Sequence, residues 1–271
     1  MSTMTENENL LSAHACEEID ELLQRFPAEQ KKSALLGALN IVQHENQGFL
    51  TKELMQAVAD GDMATASMPC MSVREMAVCG EPARVARLSF TGELGYEIYL
   101  PAGQAGAAYD ELVQAGAAFD IRPFGLRALV SMGMEKRFGV WSREFSPDYT
   151  PSMSGMDRFI DYAKPGFVGR EAALADRNAE PPHRLVALEI DAADADAWGY
   201  EPVWHGDEYV GFTTSGAYGH TVGKSLAMGY LSSSFLDSAG GGLEVHLVDG
   251  RRPARILTEA PYDPAGARMR G

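Results

Sequence analysis

The sequence predicts an α+β fold in three parts: a three-helix unit over residues 1–62, an α+β domain over 63–180 and a small β-barrel over 181–271. Three observations carry that reading. Apolar residues recur at helical spacing up to Val58. A patternless run of small residues, DGDMATASMPC, follows and reads as a junction. From His183 onward, short strand-like runs are separated by glycine-rich turns.

In the first part, Ser12 reads as the N-cap of a helix carrying Ala15, Ile19, Leu22, Leu23 and Phe26 on one stripe. Pro27 breaks that helix and suits the first turn of the next. Leu35, Ala38, Leu39 and Val42 form the second stripe, which ends before Gly48. Thr51 is placed to cap a third, short helix with Leu54, Met55 and Val58, which stops at Gly61. Residues 1–62 are markedly acidic, with eleven Asp/Glu against four Lys/Arg; the remainder has twenty-seven against nineteen.

In the second part, ARVARLSF alternates as a strand does, and YEIYL reads as another, closed by Pro101. AAYDELVQAGAAF and LRALVSMGMEKRF follow as amphipathic helices, and this β–β–α–α order predicts an α+β layer. FVGREAAL opens a further helix, with Arg170 and Glu171 in its first residues. The barrel rests on RLVALEI, EYVGFTTSG, KSLAMGYL, LEVHLV and ARILTEA.

Composition narrows the function. The 271 residues, 45% hydrophobic and 23% charged, suit a soluble chain of two domains. A net charge of −15 argues against nucleic acid and anionic membranes as partners. No apolar run approaches the roughly 18–20 residues that cross a membrane, and MSTMTENENL has no signal pattern, so the expected location is cytoplasmic. Cys16, Cys70 and Cys79 are odd in number with no CxxC pair, which argues against a disulfide framework or a zinc site, and no metal is expected.

The most informative stretch is RLSFTGELGYEIYLP, residues 87–101. Gly92 and Gly95 permit a tight turn or a close backbone approach to a ligand. Glu93 and Glu97 are four apart and would share a face of an uninterrupted strand, which the turn leaves open. Glu97 lies among Tyr96, Ile98 and Tyr99, where an unpaired buried charge is costly. Two readings stand: a surface or salt-bridged glutamate, or a carboxylate that meets a flat heterocycle with adjacent N–H donors, gripped by the aromatic neighbours. Elsewhere, His220 is either an acid–base group or a turn histidine satisfied by backbone, and Lys224 either meets an anionic substrate or sits in solvent. GGGLEV lacks the Lys-Ser/Thr of a phosphate loop.

RLSFTGELGYEIYLP, MEKRFGVWSREFSPDYTP, KPGFVGREAAL and GFTTSGAYGHTVGKSLAMGYL together resemble the folate-binding aminomethyltransferase family. That family comprises the glycine-cleavage T-protein and the C-terminal half of dimethylglycine and sarcosine dehydrogenases; SGAYGHTVGKSLA and YDPAGARMR lean toward the dehydrogenases. The likeness runs in order from about Met68 to the C-terminus. It implies a tetrahydrofolate site in which Glu97 pairs with the pterin ring beside Tyr96; Arg127, nearby, is either a cation for the glutamyl tail or a helix-surface arginine, and Trp141 either walls the pocket or is a plain core tryptophan. The family pattern has arginines where this chain has Leu129 and Gly133, and its catalytic aspartate precedes the TGELGYE segment without a counterpart here. The first part of the folate-binding domain is thus expected to be missing. Gly133 within a helix costs about 1 kcal/mol relative to alanine.

Residues 11–61 resemble the N-terminal helices of the E-type component of NADH-quinone oxidoreductase, whose cluster-binding cysteines come later. The three cysteines here lack cluster spacing, so no iron–sulfur centre is expected. The family resemblance implies one-carbon transfer from a methylated amine to tetrahydrofolate. With no GxGxxG to hold a flavin, the amine oxidation would fall to a flavoprotein partner. The alternatives are a non-catalytic assembly protein and a fusion product without a selected function.

Overall fold

A two-residue turn sets up the first sheet. In the computed structural model, which describes residues 52–238 and 242–271, Val78 pairs with Glu81 across Cys79 and Gly80. Both turn residues have positive φ, 53° and 72°. That geometry matches the right-handed twist of a hairpin, and the glycine adopts it without steric cost. The hairpin joins β1 (Val73–Val78) to β2 (Glu81–Ala86), and β3 (Glu97–Tyr99) adds antiparallel on the other side of β2.

One face of this sheet is apolar. Val78, Ala83 and Val85 cluster with Met55, Met63, Met68 and Tyr96, all buried. Met55 comes from α1 (Lys52–Val58), whose C-terminal neighbour Ala59 bridges to Val78. The third predicted helix therefore forms and packs into the core of this sheet. The first two predicted helices, and Thr51, lie outside the described residues. Next come α2 (Ala105–Gly116), which continues as a 3-10 turn over Ala117–Phe119, and α3 (Leu126–Glu135).

The chain divides into two compact units, one running to Leu129 and including Gly266–Gly271, the other Val130–Ala265. In the second unit, α4 (Pro151–Ser154) is a single turn. The Thr150 hydroxyl accepts the Met153 N–H, and proline stands in its first turn. α5 (Arg170–Asn178) opens with Arg170 and Glu171, as FVGREAAL predicts.

The barrel strands are β4 (His183–Ile190), β5 (Pro202–His205), β6 (Glu208–Gly219), β7 (Lys224–Ser232), β8 (Leu243–Leu247) and β9 (Gly250–Leu257). They close in the order β4-β7-β6-β5-β8-β9, so no edge is left unpaired. Val186, Leu188, Ile190, Val203, Ala227, Leu231 and Val245 fill the interior. β7 is covered on both faces, because Leu226 and Met228 turn outward onto Met134, Ala187 and Leu257. Two-sided burial explains why KSLAMGYL reads as a nearly continuous apolar run rather than a strict alternation. A 3-10 turn over Asp157–Phe159 and two short helices, α6 (Ser233–Ser238) and α7 (Ala267–Arg270), complete the elements among the described residues. The α+β class and the closed barrel agree with the sequence reading; the strands at 73–78 and 202–205 were not anticipated by it.

Gly211 pins β6 against β7. Its φ is +155°, and a methyl group there would fall 2.1 Å from the Tyr230 carbonyl oxygen. Gly211→Ala is expected to lower stability by about 1–3 kcal/mol, read as a shift of the urea midpoint; an unchanged midpoint would contradict this account of the strand pair.

Candidate functional site

The loop before β3 is closed by its own side chains. The Ser89 hydroxyl accepts the Gly92 N–H at 3.0 Å, and the Thr91 hydroxyl accepts the Glu93 N–H at 3.3 Å. A Cβ at Gly95 would lie 2.8 Å from the Leu88 carbonyl oxygen, so the loop tolerates only glycine in that close approach.

This loop separates the two carboxylates. Glu93 is buried, and both of its oxygens accept from Nε of Arg268, at 2.7 and 3.0 Å. Glu97 begins β3 and is half-buried. The Tyr99 hydroxyl donates to Glu97 Oε2, and among the described residues no cation stands at ion-pair distance from Glu97. That hydrogen bond raises the Tyr99 phenol above its ordinary range, with burial and the Glu97 charge adding to the effect. Glu93 is thus consumed by structure, while Glu97 keeps an oxygen open.

Strand register places Glu97 and Tyr99 on the outward face of the sheet. Ala86 stands opposite Glu97 and Val73 beyond it; Arg84 stands opposite Tyr99 and Glu75 beyond it. Tyr96, by contrast, turns into the core. Burial pushes its phenol up, Arg87 opposes that shift, and its hydroxyl has no hydrogen-bond partner among the described residues. Arg127 lies exposed in the first turn of α3.

On the second unit, Trp141 is 76% exposed and bridges to Phe145. It is therefore a surface tryptophan, not a core one. Its loop is fastened by the two residues after Ser142. Arg143 Nη1 donates to the carbonyls of Trp198 and Thr214, at 2.9 and 3.2 Å. The buried Glu144 carboxylate accepts the Val140 N–H at 2.8 Å, the Ser215 hydroxyl at 2.6 Å and the Thr214 hydroxyl. Its backbone carbonyl accepts the Tyr230 hydroxyl at 2.7 Å, and Tyr230 stacks on Tyr149 with ring centroids 3.8 Å apart. Burial drives the Tyr230 phenol far up, and Tyr149 and Glu144 add to the shift. Sequence reasoning picked Trp141 from this segment and missed Arg143 and Glu144. Only the carboxylate set between Arg143 and Phe145 hinted at a buried, partnered group.

His220 is exposed and meets the Tyr218 ring edge to face at 5.1 Å. Lys224 is exposed and lies 3.7 Å from Glu189. Among the described residues, no three His, Cys, Asp or Glu side chains stand where they could hold a metal, and no helix is long and apolar enough to cross a membrane.

Comparison with known proteins gives concordant matches. Residues 39–164 match the GCVT N-terminal domain, and residues 183–263 match the glycine cleavage T-protein C-terminal barrel domain. The chain is 32% identical over 225 residues to the mitochondrial dimethylglycine dehydrogenase of Rattus norvegicus, covering 83% of this chain and 26% of that protein. It is 32% identical over 248 residues to an aminomethyltransferase of Streptomyces avermitilis, covering 88% and 64%. The chain thus spans about a quarter of that dehydrogenase and under two thirds of that aminomethyltransferase. The crystal structure of the glycine cleavage system aminomethyltransferase T from Bartonella henselae shares the fold, with a TM-score of 0.59 at 23% identity over 67% of this chain and 50% of that one.

Glu144→Ala removes the acceptor for one N–H and two hydroxyls in a buried setting. It is expected to cost about 2–4 kcal/mol in thermal or urea unfolding and to shift the Trp141 fluorescence as its loop loosens. Wild-type stability in this variant would contradict the anchoring role.

Proposed function

Since the chain belongs to the glycine-cleavage T-protein family, we propose that it is a tetrahydrofolate-binding one-carbon transfer module, with Glu97 as the carboxylate that receives the pterin ring. The observation that carries the reading is the state of Glu97: half-buried on β3, held through one oxygen by Tyr99, with no cation beside it among the described residues. A carboxylate so placed fits the adjacent N–H donors of a pterin edge, since hydrogen bonds to an ionised acceptor are short and strong. The folate, when bound, supplies the nitrogens that capture the carbon.

The chain's own contribution is to bind and orient. Glu97 fixes the ring by its N–H edge, which sets the direction in which the rest of the ligand leaves the site. Arg127, exposed on α3, is a cation for the glutamyl tail; Trp141, read as a pocket wall from the family resemblance, is an exposed indole on the second unit. Tyr96 supports this site from beneath, as part of the core that backs β3. The reading carries no catalytic aspartate within this chain. A methylated amine serves as carbon donor, and a flavoprotein partner performs the oxidation that precedes transfer.

A second reading, a non-catalytic assembly protein, draws support from large apolar side chains left exposed on or beside the sheet: Met71 at 77%, Val73 at 59%, Phe90 at 57% and Tyr99 at 56%.

Calorimetric titration of tetrahydrofolate separates the two. The transfer-module reading expects micromolar binding, weakened at least about tenfold in Glu97→Gln, the loss of one charge-assisted contact. No heat from folded, monodisperse wild-type protein would sink that reading and favour the assembly role.

A further inference from the structure

Glu97 and Tyr99 are two apart on β3, so their side chains rise from the same face of the sheet. The Tyr99 hydroxyl donates to one oxygen of the carboxylate, while more than half of the tyrosine stays exposed to solvent. Neither side chain belongs to the core cluster on the opposite face. Tyr99 is also unconnected to the neighbouring surface ion pair, because Arg84, directly across from it on β2, is engaged by Glu75 at 3.3 Å.

A glutamate carboxylate on an open strand would otherwise sample several rotamers and lose that freedom on binding. A phenol donor bonded to one oxygen removes the freedom beforehand and leaves the other oxygen aimed outward. We propose that Tyr99 is a positioning residue, whose hydroxyl holds the Glu97 carboxylate in the orientation from which its remaining oxygen meets the N–H donors of a ligand. The inference rests on the reading of Glu97 as the ligand carboxylate. It adds a residue that acts on the ligand through Glu97.

The coupling has a signature in the ligand-free protein. A phenol that donates to a carboxylate titrates above the ordinary tyrosine range, as the geometry gives for Tyr99. With tyrosine labelled at Cζ by carbon-13, the Tyr99 resonance is the one absent from Tyr99→Phe. Its titration should lie above the ordinary range in the wild type and move down in Glu97→Gln. Tyr99→Phe should bind tetrahydrofolate about tenfold more weakly, the scale of one hydrogen bond to a charged group, with an unchanged melting temperature because the hydroxyl supports no buried contact.

A Tyr99 titration indifferent to Glu97→Gln would overturn the proposal, and so would Tyr99→Phe protein that binds tetrahydrofolate as the wild type does. If wild-type protein binds no tetrahydrofolate while the Tyr99 titration still follows Glu97, the functional reading fails and the coupling stands, so the two failures are told apart.

Discussion

A charge taken out of water must find a partner, and among the described residues the buried charges are spent on joining segments of the chain. In the first unit, Glu93 takes Arg268, and Arg87 reaches the carbonyls of Met68 and Arg270 at 2.7 and 2.5 Å. In the second, Glu135 accepts the Thr221 and Val222 N–H groups at 2.6 and 3.0 Å, and Lys136 pairs with Asp263 at 2.9 Å. Glu144 ties its own loop to β6. Several of these bonds join residues more than eighty positions apart in sequence. The cost of breaking one is the desolvation of the partner left behind, which exceeds the modest net worth of making it.

Glu97 stands out against that pattern. It lies four residues from Glu93, yet the Ser89 and Thr91 hydroxyls and the close approach at Gly95 turn the chain between them. One carboxylate is thereby sent into the structure and the other onto the outward face of β3. Locking the loop through Glu93 makes Glu97 a fixed feature rather than a mobile one, and Tyr99 fixes its remaining rotation. Preorganisation of this kind favours binding by removing an entropic loss at the moment of contact. Local turn chemistry is thus linked, through a buried ion pair, to the outward placement of Glu97, the carboxylate proposed to receive a ligand.

Much of this was legible in the sequence, and the exceptions have physical causes. RLVALEI, LEVHLV and ARILTEA were legible as barrel strands because short runs stood between turns; LEVHLV also alternates with its burial, whereas Val186, Ala187 and Leu188 are buried in succession. Pro202–His205 escaped notice because a four-residue strand that begins with proline carries almost no periodic signal. VREMAV was equally opaque, since the outer half of that strand is exposed. Glu97 stood out as a carboxylate among apolar neighbours, but its separation from Glu93 depends on a loop conformation that spacing alone leaves open. Arg143 and Glu144 could not be assigned from sequence, because their partners at Trp198, Thr214 and Ser215 come more than fifty residues later. Residues 11–61 read as resembling an oxidoreductase component, but the GCVT N-terminal match begins within that stretch, at residue 39, and only residues 52–61 of it are described.

The most direct test of the central claim, that Glu97 is held ready for a ligand, is a crystal structure of the protein grown with 5-formyltetrahydrofolate, a stable reduced folate. The account predicts the pterin N–H edge within hydrogen-bond distance of the Glu97 carboxylate, with Tyr99 still bonded to its other oxygen. A folate bound elsewhere, with Glu97 turned to solvent or paired to a protein cation, would contradict it.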